Sequence, residues 1–271
     1  MSSEKSISLG ISPCPNDTYI FYGLLHGLVD LEGITFQSVL ADVESLNQMA
    51  CRQGLDVVKL SVAAYTQVQE NYHLLGAGGA LGWCCGPLLV SRRPCSCEKL
   101  EQARIAVPGK MTTACLLLGL MGWHQGERLE MDYARILPAV AKGEADAGLV
   151  IHEGRFTYAQ HGLHLVLDLG QWWEEETGLP LPLGIIACHK RLGQEFVPWM
   201  ESRIRKSLDL ARKSPDLAWE FICSQAQEMD PGTILRHIET FVTEYSYDLG
   251  PQGQRALEVL LQQGSALGSK G

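Results

Sequence analysis

The stretch Ala147-Gly148-Leu149-Val150-Ile151-His152-Glu153-Gly154-Arg155-Phe156 is a short apolar run of β type that stops at a histidine, an acid and a glycine. In open α/β sheets, ligands bind just beyond the carboxyl ends of strands, so this reading sets a fold class and a place for chemistry together. A strand end also suits a hydrogen-bonded structural histidine. The company His152 keeps has to decide between the two.

The same strand and helix alternation runs outward on both sides. Upstream, 132–138 leads into a helix over 139–143 that closes on a glycine, and the strand 146–152 follows it. Before that, Arg104-Ile105-Ala106-Val107 ends in Pro108-Gly109, and Thr112-Thr113-Ala114 opens a strongly apolar helix. The threonine hydroxyls and the first backbone N–H groups of that helix make an anion nest. Ordinary N-capping by Thr112 or Thr113 is the plainer reading, and a capping threonine can also touch a ligand. Downstream, 163–169 reads as the last strand of this lobe, and the aromatic, acidic and glycine-rich 171–184 as an irregular connection out of it.

Nearer the start, the strand 7–11 runs into Ser12-Pro13-Cys14-Pro15-Asn16-Asp17-Thr18. Two prolines in three residues stop a ladder, and Asn16 or Asp17 can cap the helix that follows. A strand over 34–39 comes next, then Asp42 as the cap of a helix carrying Leu46, Met49 and Ala50. The strand 54–61 ends at Ser61 and leads to a helix through Tyr65 and Tyr72. This spacing makes parallel βαβ units. Lys59 lies inside that otherwise apolar strand, either snorkelling or serving a site. Gly76-Ala77-Gly78-Gly79-Ala80-Leu81-Gly82 fits neither a Walker loop nor a dinucleotide fingerprint, so no nucleotide cofactor is read from it. After a strand over 87–91, Arg92-Arg93-Pro94 reads as the crossing into the second lobe, and 185–188 as the return. Helices over 196–213, 215–227, 231–243 and 251–261 finish the chain, with prolines at or near their starts and Gly264 ending the last.

A chain of 271 residues can bury roughly 75% of its unfolded surface, enough for two modest cores. The net charge of −9 speaks against nucleic acid and anionic membranes as partners. An anionic small molecule then needs local positive potential, which helix N-termini supply. The start 1–11 shows no basic stretch leading into a long apolar core and no apolar run reaches bilayer length, so export is not indicated and a cytoplasmic protein is expected. Nine cysteines in such a compartment are expected as thiols. Cys84-Cys85 and Cys95-x-Cys97 lack the two-residue knuckle spacing of zinc modules, so no metal is expected, and Cys51, Cys115, Cys188 and Cys223 read as small core residues. The oligomeric state stays open, with a homodimer as one option.

Two lobes joined by two crossings suggest an α/β clamshell like the type II periplasmic binding proteins, each lobe a mixed, mainly parallel sheet flanked by helices. The larger lobe is expected to hold 1–92 plus 184–271, the smaller 93–183, with the ligand cleft between them. Three stretches narrow this further: 12–18, Lys59-Leu60-Ser61, and 148–158. Together with Pro108-Gly109, Thr112-Thr113-Ala114 and the segment from Trp172-Trp173-Glu174 to Pro182-Leu183-Gly184, they closely resemble the 1,4-dihydroxy-6-naphthoate synthases of the futalosine route to menaquinone. The resemblance implies a cytoplasmic lyase that takes cyclic dehypoxanthinylfutalosine without a metal or other cofactor. It implies that His152 is the general base and that Ser61, Thr113 and Ala114 contact the ligand. Thr112, Lys59, Asn16 and Asp17 complete the candidate binding set. Glu153, a strand neighbour of His152, is expected to point elsewhere. The segment Trp83-Cys84-Cys85-Gly86 departs from the pattern and leaves the pocket shape there undefined. A chorismate dehydratase of the same fold and a non-catalytic solute-binding protein are the competing readings.

Overall fold

The computed structural model describes residues 5–227 and 230–268. The reading of the chain start as leaderless concerns 1–4, outside the described residues. The first half lays down β1 (Lys5–Ile11), α1 (Pro15–Leu25), β2 (Ile34–Leu40), α2 (Val43–Cys51), β3 (Val57–Ser61), α3 (Val62–Val68), β4 (Tyr72–Leu74) and β5 (Ala80–Gly82). The chain continues with β6 (Leu88–Ser91), β7 (Ile105–Val107), α4 (Thr113–Met121), β8 (Arg128–Glu130), α5 (Tyr133–Lys142), β9 (Ala147–Val150), α6 (Gly154–Thr157), β10 (His164–Asp168) and α7 (Leu169–Thr177). It closes with β11 (Leu181–His189), α8 (Phe196–Lys213), α9 (Pro215–Gln225), α10 (Pro231–Phe241), α11 (Glu244–Tyr247) and α12 (Gly250–Gly268).

Two sheets result. One has the order β2-β1-β3-β11-β4, with β5 also on β11; the other runs β10-β6-β9-β7-β8. Among the described strands, parallel pairing is confined to β2-β1-β3, the βαβ units read from the sequence, and to β9-β7-β8, whose β8 the sequence reading did not include. The antiparallel ladders are all made by β6 or β11. Those are the first strands laid down after each crossing, so both sheets are mixed because the chain enters each from the other.

The crossings fall earlier than the sequence placed them. The strand at 87–91, expected in the first lobe, pairs with β9 and β10 in the second sheet, so the chain crosses between Gly82 and Leu88. The return is complete by Leu181, where β11 pairs with β5. An apolar strand has the same composition in either sheet, and only its partners tell them apart. At this double crossing Gly86 and Gly170 touch: a Cβ on Gly86 would lie 2.2 Å from Gly170 Cα. Arg155 clamps the spot, donating to the Gly86 carbonyl and, at 2.8 Å, to Asp168.

Five local expectations also change. Residues 169–177 form a helix, not an irregular connection, because the Asp168 carboxylate accepts from the N–H groups of Gly170 and Gln171. The helix before β9 starts at Tyr133 on an Asp132 cap and carries Pro138 inside it. Tyr72 starts β4 and α12 runs through Gly264 to Gly268. Cys51 is exposed, although Cys115 and Cys188 are buried as expected.

Packing explains why β9 delivers its carboxyl end so firmly. All four residues of β9 are buried, and Gly148 lets α5 lie directly on the strand: a Cβ there would come within 2.6 Å of Ile136 and 2.7 Å of Val140. In the first sheet Ile7, Leu9 and Ile11 alternate toward a core shared with Phe21, Met200 and Ile204. Ser207 of α8 stitches that layer to α1, donating to the Ile20 carbonyl at 2.6 Å and accepting from Gly23 N–H at 3.0 Å. A third core fills the space between the sheets, from Leu60 and Val62 to Ile105 and Leu117.

Candidate active site

The strand ends of both sheets face one pocket of about 80 Å³. Ser12 follows β1 and Ser61 ends β3 on one side; Thr112 follows β7 and His152 follows β9 on the other. Asn16, Lys59, Ser61, Thr112, Thr113, Ala114 and His152 all line it. Asp17 does not, being fully buried behind Lys59. Of the Trp83-Cys84-Cys85 group only Cys85 lines the pocket. Trp83 is 44% exposed, and Cys84 N–H donates to Glu174.

His152 has φ 54°, in the left-handed region that histidine enters more readily than most residues. Such strain is concentrated where structure over-determines a functional group. Its ring is crowded by protein on three sides. Cys14 Sγ lies 3.4 Å from Nδ1 and 3.8 Å from Nε2, nearly equidistant and so aimed at neither lone pair. The Tyr133 ring is 4.9 Å away, and the His237 ring stacks at 6.0 Å with 15° between the planes. Burial pulls the His152 pKa down to about 4; the Glu153 charge opposes this and His237 reinforces it. At neutral pH the imidazole is uncharged and able to take a proton. Burial, with the Glu153 charge added, keeps Cys14 a thiol, and burial keeps the Tyr133 hydroxyl protonated.

The two helix starts differ from their sequence reading. Neither Asn16 nor Asp17 caps α1: Cys14 holds the N-cap position without a side-chain bond, and Pro15 occupies the first turn. Asp17 instead faces backward, accepting from Ser12 N–H at 3.1 Å, Ser12 Oγ at 2.9 Å and Lys59 Nζ at 2.5 Å. Lys59 therefore neither snorkels nor presents a free cation. At α4, Thr112 caps as expected, accepting from Cys115 N–H while donating to Gly109 carbonyl. Thr113 Oγ1 donates to the Leu183 carbonyl at 2.7 Å. Both threonine hydroxyl protons are spent, so the nest reduces to the first-turn N–H groups of Thr113 and Ala114. Ser61 adds a hydroxyl proton, because its oxygen already accepts from Asn47 Nδ2 and its N–H goes to Asn47 Oδ1. What the arrangement offers an anion is neutral donors and a helix dipole.

Three further groups were not foreseen. Glu153 does not point away: it is buried, and its carboxylate, Cys14 Sγ and a His152 ring nitrogen lie within 4.8 Å of one another. β9 ends at Val150, so strand alternation no longer governs position 153. Those three side chains are the described residues whose grouping could hold a metal ion, a set no cysteine spacing announced. His237 reaches the cleft from α10, its Nε2 2.9 Å from Asn16 Oδ1 and its Nδ1 3.4 Å from Glu153. Cys14 stood in plain view in the strand-end turn, and its contact with His152 across 138 residues is purely tertiary.

Two α/β lobes meeting at a pocket built from strand ends and helix starts define a periplasmic-binding-protein-like clamshell with a histidine in its cleft. The periplasmic aliphatic sulphonate binding protein of Escherichia coli has this fold, with TM-score 0.70 over 99% of this chain and 88% of that one at 10% identity. The chain itself belongs to the menaquinone biosynthesis family, whose model matches residues 7–266. It is 46% identical over 265 residues to the 1,4-dihydroxy-6-naphthoate synthase of Thermus thermophilus, covering 97% of this chain and 96% of that one. A solved structure from Archaeoglobus fulgidus is similar at TM-score 0.92 and 36% identity, over 99% of this chain and 100% of that one.

Proposed function

We propose that the chain is a cytoplasmic carbon–carbon lyase that converts cyclic dehypoxanthinylfutalosine to 1,4-dihydroxy-6-naphthoate and a three-carbon sugar-derived fragment, with His152 as general base. The observation that carries this reading is a histidine held neutral by burial, in a pocket that also offers Ser61 Oγ–H from the other lobe and the Thr113 and Ala114 N–H groups from its own to an anion. A fused-ring carboxylate fits between them, and aromatisation of the ring drives the cleavage once the base has taken its proton. Glu153 acts behind the first layer of contact, and Lys59 lines the pocket with its ammonium committed to Asp17. Incubating the purified protein with the cyclic substrate and following naphthoate release by ultraviolet absorbance tests the reading. Tight binding without release of product would leave a solute-binding protein, and turnover of chorismate would point to the sister reaction.

The anion nest has its own test. Thr113→Val removes a hydroxyl whose proton is already committed, so naphthoate affinity measured by calorimetry is expected to fall less than tenfold. Thr113→Pro also deletes an N–H, at a first-turn position that tolerates proline and follows an extended residue. A lost hydrogen bond to a charged group is worth about 1.5–3 kcal/mol, so affinity is expected to fall roughly tenfold or more. Equal affinities for the two variants would place the anion elsewhere.

A further inference from the structure

His237 sits 0% exposed beside the catalytic cleft, and the mechanism above gives it no task. Its protonation can be worked out from its neighbours. Asp17 only accepts, so Asn16 must turn its amide Nδ2 toward Asp17 Oδ1, at 2.8 Å. Asn16 Oδ1 then faces His237 Nε2 at 2.9 Å, and Nε2 must carry a proton. A neutral ring protonated there would turn the lone pair of Nδ1 toward Glu153 Oε2, 3.4 Å away. Among the described residues neither Glu153 carboxylate oxygen nor His237 Nδ1 has a hydrogen bond of good geometry to any other group. Two buried acceptors facing each other need a proton between them.

We propose that His237 is a positioning residue: one proton held between its Nδ1 and the Glu153 carboxylate keeps it an imidazolium stacked beside His152, and that cation offsets the Glu153 charge that would otherwise draw a proton onto His152. The proposal rests on the general-base reading of His152. Two parallel imidazolium rings at 6.0 Å repel strongly in a poorly screened interior, so His152 gains a proton reluctantly. Glu153 fits the same arrangement: burial would push its carboxyl up, but the His237 hydrogen bond and the nearby His152 and His237 charges bring it down to about 2. Glu153 itself favours a proton on His152, against burial and His237, and the remaining groups facing the pair add little. Cys14 and Tyr133 stay protonated. Lys59 and Asp17 form an ion pair whose charges act on His152 in opposite directions.

His237→Gln keeps a donor for Asn16 and removes the charge. Loss of a neighbouring cation favours the protonated base, so the acid limb of the kcat/KM profile is expected to move up by about one pH unit or more. The plateau should change little. A second readout needs no substrate. In protein carrying ¹⁵N-labelled histidine, the signals that vanish in His237→Gln are expected at neutral pH in the range of a doubly protonated ring, and Glu153→Gln should return them to the neutral range. A neutral His237 ring in the unaltered protein would overturn the shared proton. An acid limb that does not move in His237→Gln would overturn the tuning of His152. Normal turnover by His152→Gln would instead remove the general-base reading, while the ring signals would still report on His237 and Glu153.

Discussion

His152→Gln is expected to lose about a hundredfold to ten-thousandfold in kcat on the cyclic substrate while remaining folded. A positioned general base contributes roughly 10²–10⁴ to rate, and glutamine keeps hydrogen-bonding capacity but cannot hold the abstracted proton. The backbone complicates the choice of variant. Position 152 has φ 54°, which glutamine tolerates less well than asparagine, so His152→Asn serves as the second variant. Thermal unfolding of both separates lost chemistry from lost fold. Removing a ring with a depressed pKa also has a signed consequence for stability. Between the ordinary histidine value near 6.5 and the folded value of about 4, the unfolded chain binds a proton that the native chain does not. The native protein therefore loses stability through this group as pH falls across that window, and both variants should show less of that loss. Near-normal turnover in either variant would sink the assignment of the base.

The histidine was legible because its signal is local: an apolar run, a stop, and a titratable side chain at the stop. The caps at Asp42 and Thr112 were legible for the same reason, each needing only the residue and the next few N–H groups. What escaped reading depends on partners far apart in the chain. His237 lies 221 residues from the Asn16 that orients it, and the pattern of α10 says only that one face is buried. The Trp172-Trp173-Glu174 segment reads as a loop because its acids and flanking glycines hide a helix whose cap, Asp168, is also the partner of Arg155. The Thr113 hydroxyl looked like a ligand donor until β11 supplied the Leu183 carbonyl. Residue types at a strand end predict where donors gather. Which donors are still unspent depends on the strand that arrives last.

The Asp17–Lys59 pair gives the second large effect, and the two halves are not equivalent. Both side chains are withdrawn from water, at 0% and 6% exposure, and the Nζ to Oδ1 distance is 2.5 Å. Breaking a buried pair by removing one partner typically costs about 3–5 kcal/mol, because the survivor's charge is left uncompensated. Lys59→Met leaves Asp17 with three neutral donors, from Ser12 N–H, Ser12 Oγ and Asn16 Nδ2, which soften the loss. Asp17→Asn leaves the Lys59 ammonium without a counter-charge and turns an amide NH2 either toward the Ser12 N–H or toward the Lys59 and Asn16 donors. It also releases Asn16, and through it the Nε2 contact of His237. Asp17→Asn is therefore expected to be the more destabilising single change in urea unfolding. The double variant should cost less than the sum of the two, since it leaves no buried charge behind. If the single variants lie within about 0.5 kcal/mol of the unaltered protein and add without coupling, the pair contributes nothing to the fold and the strand-end turn at 12–18 is held by its prolines and backbone alone.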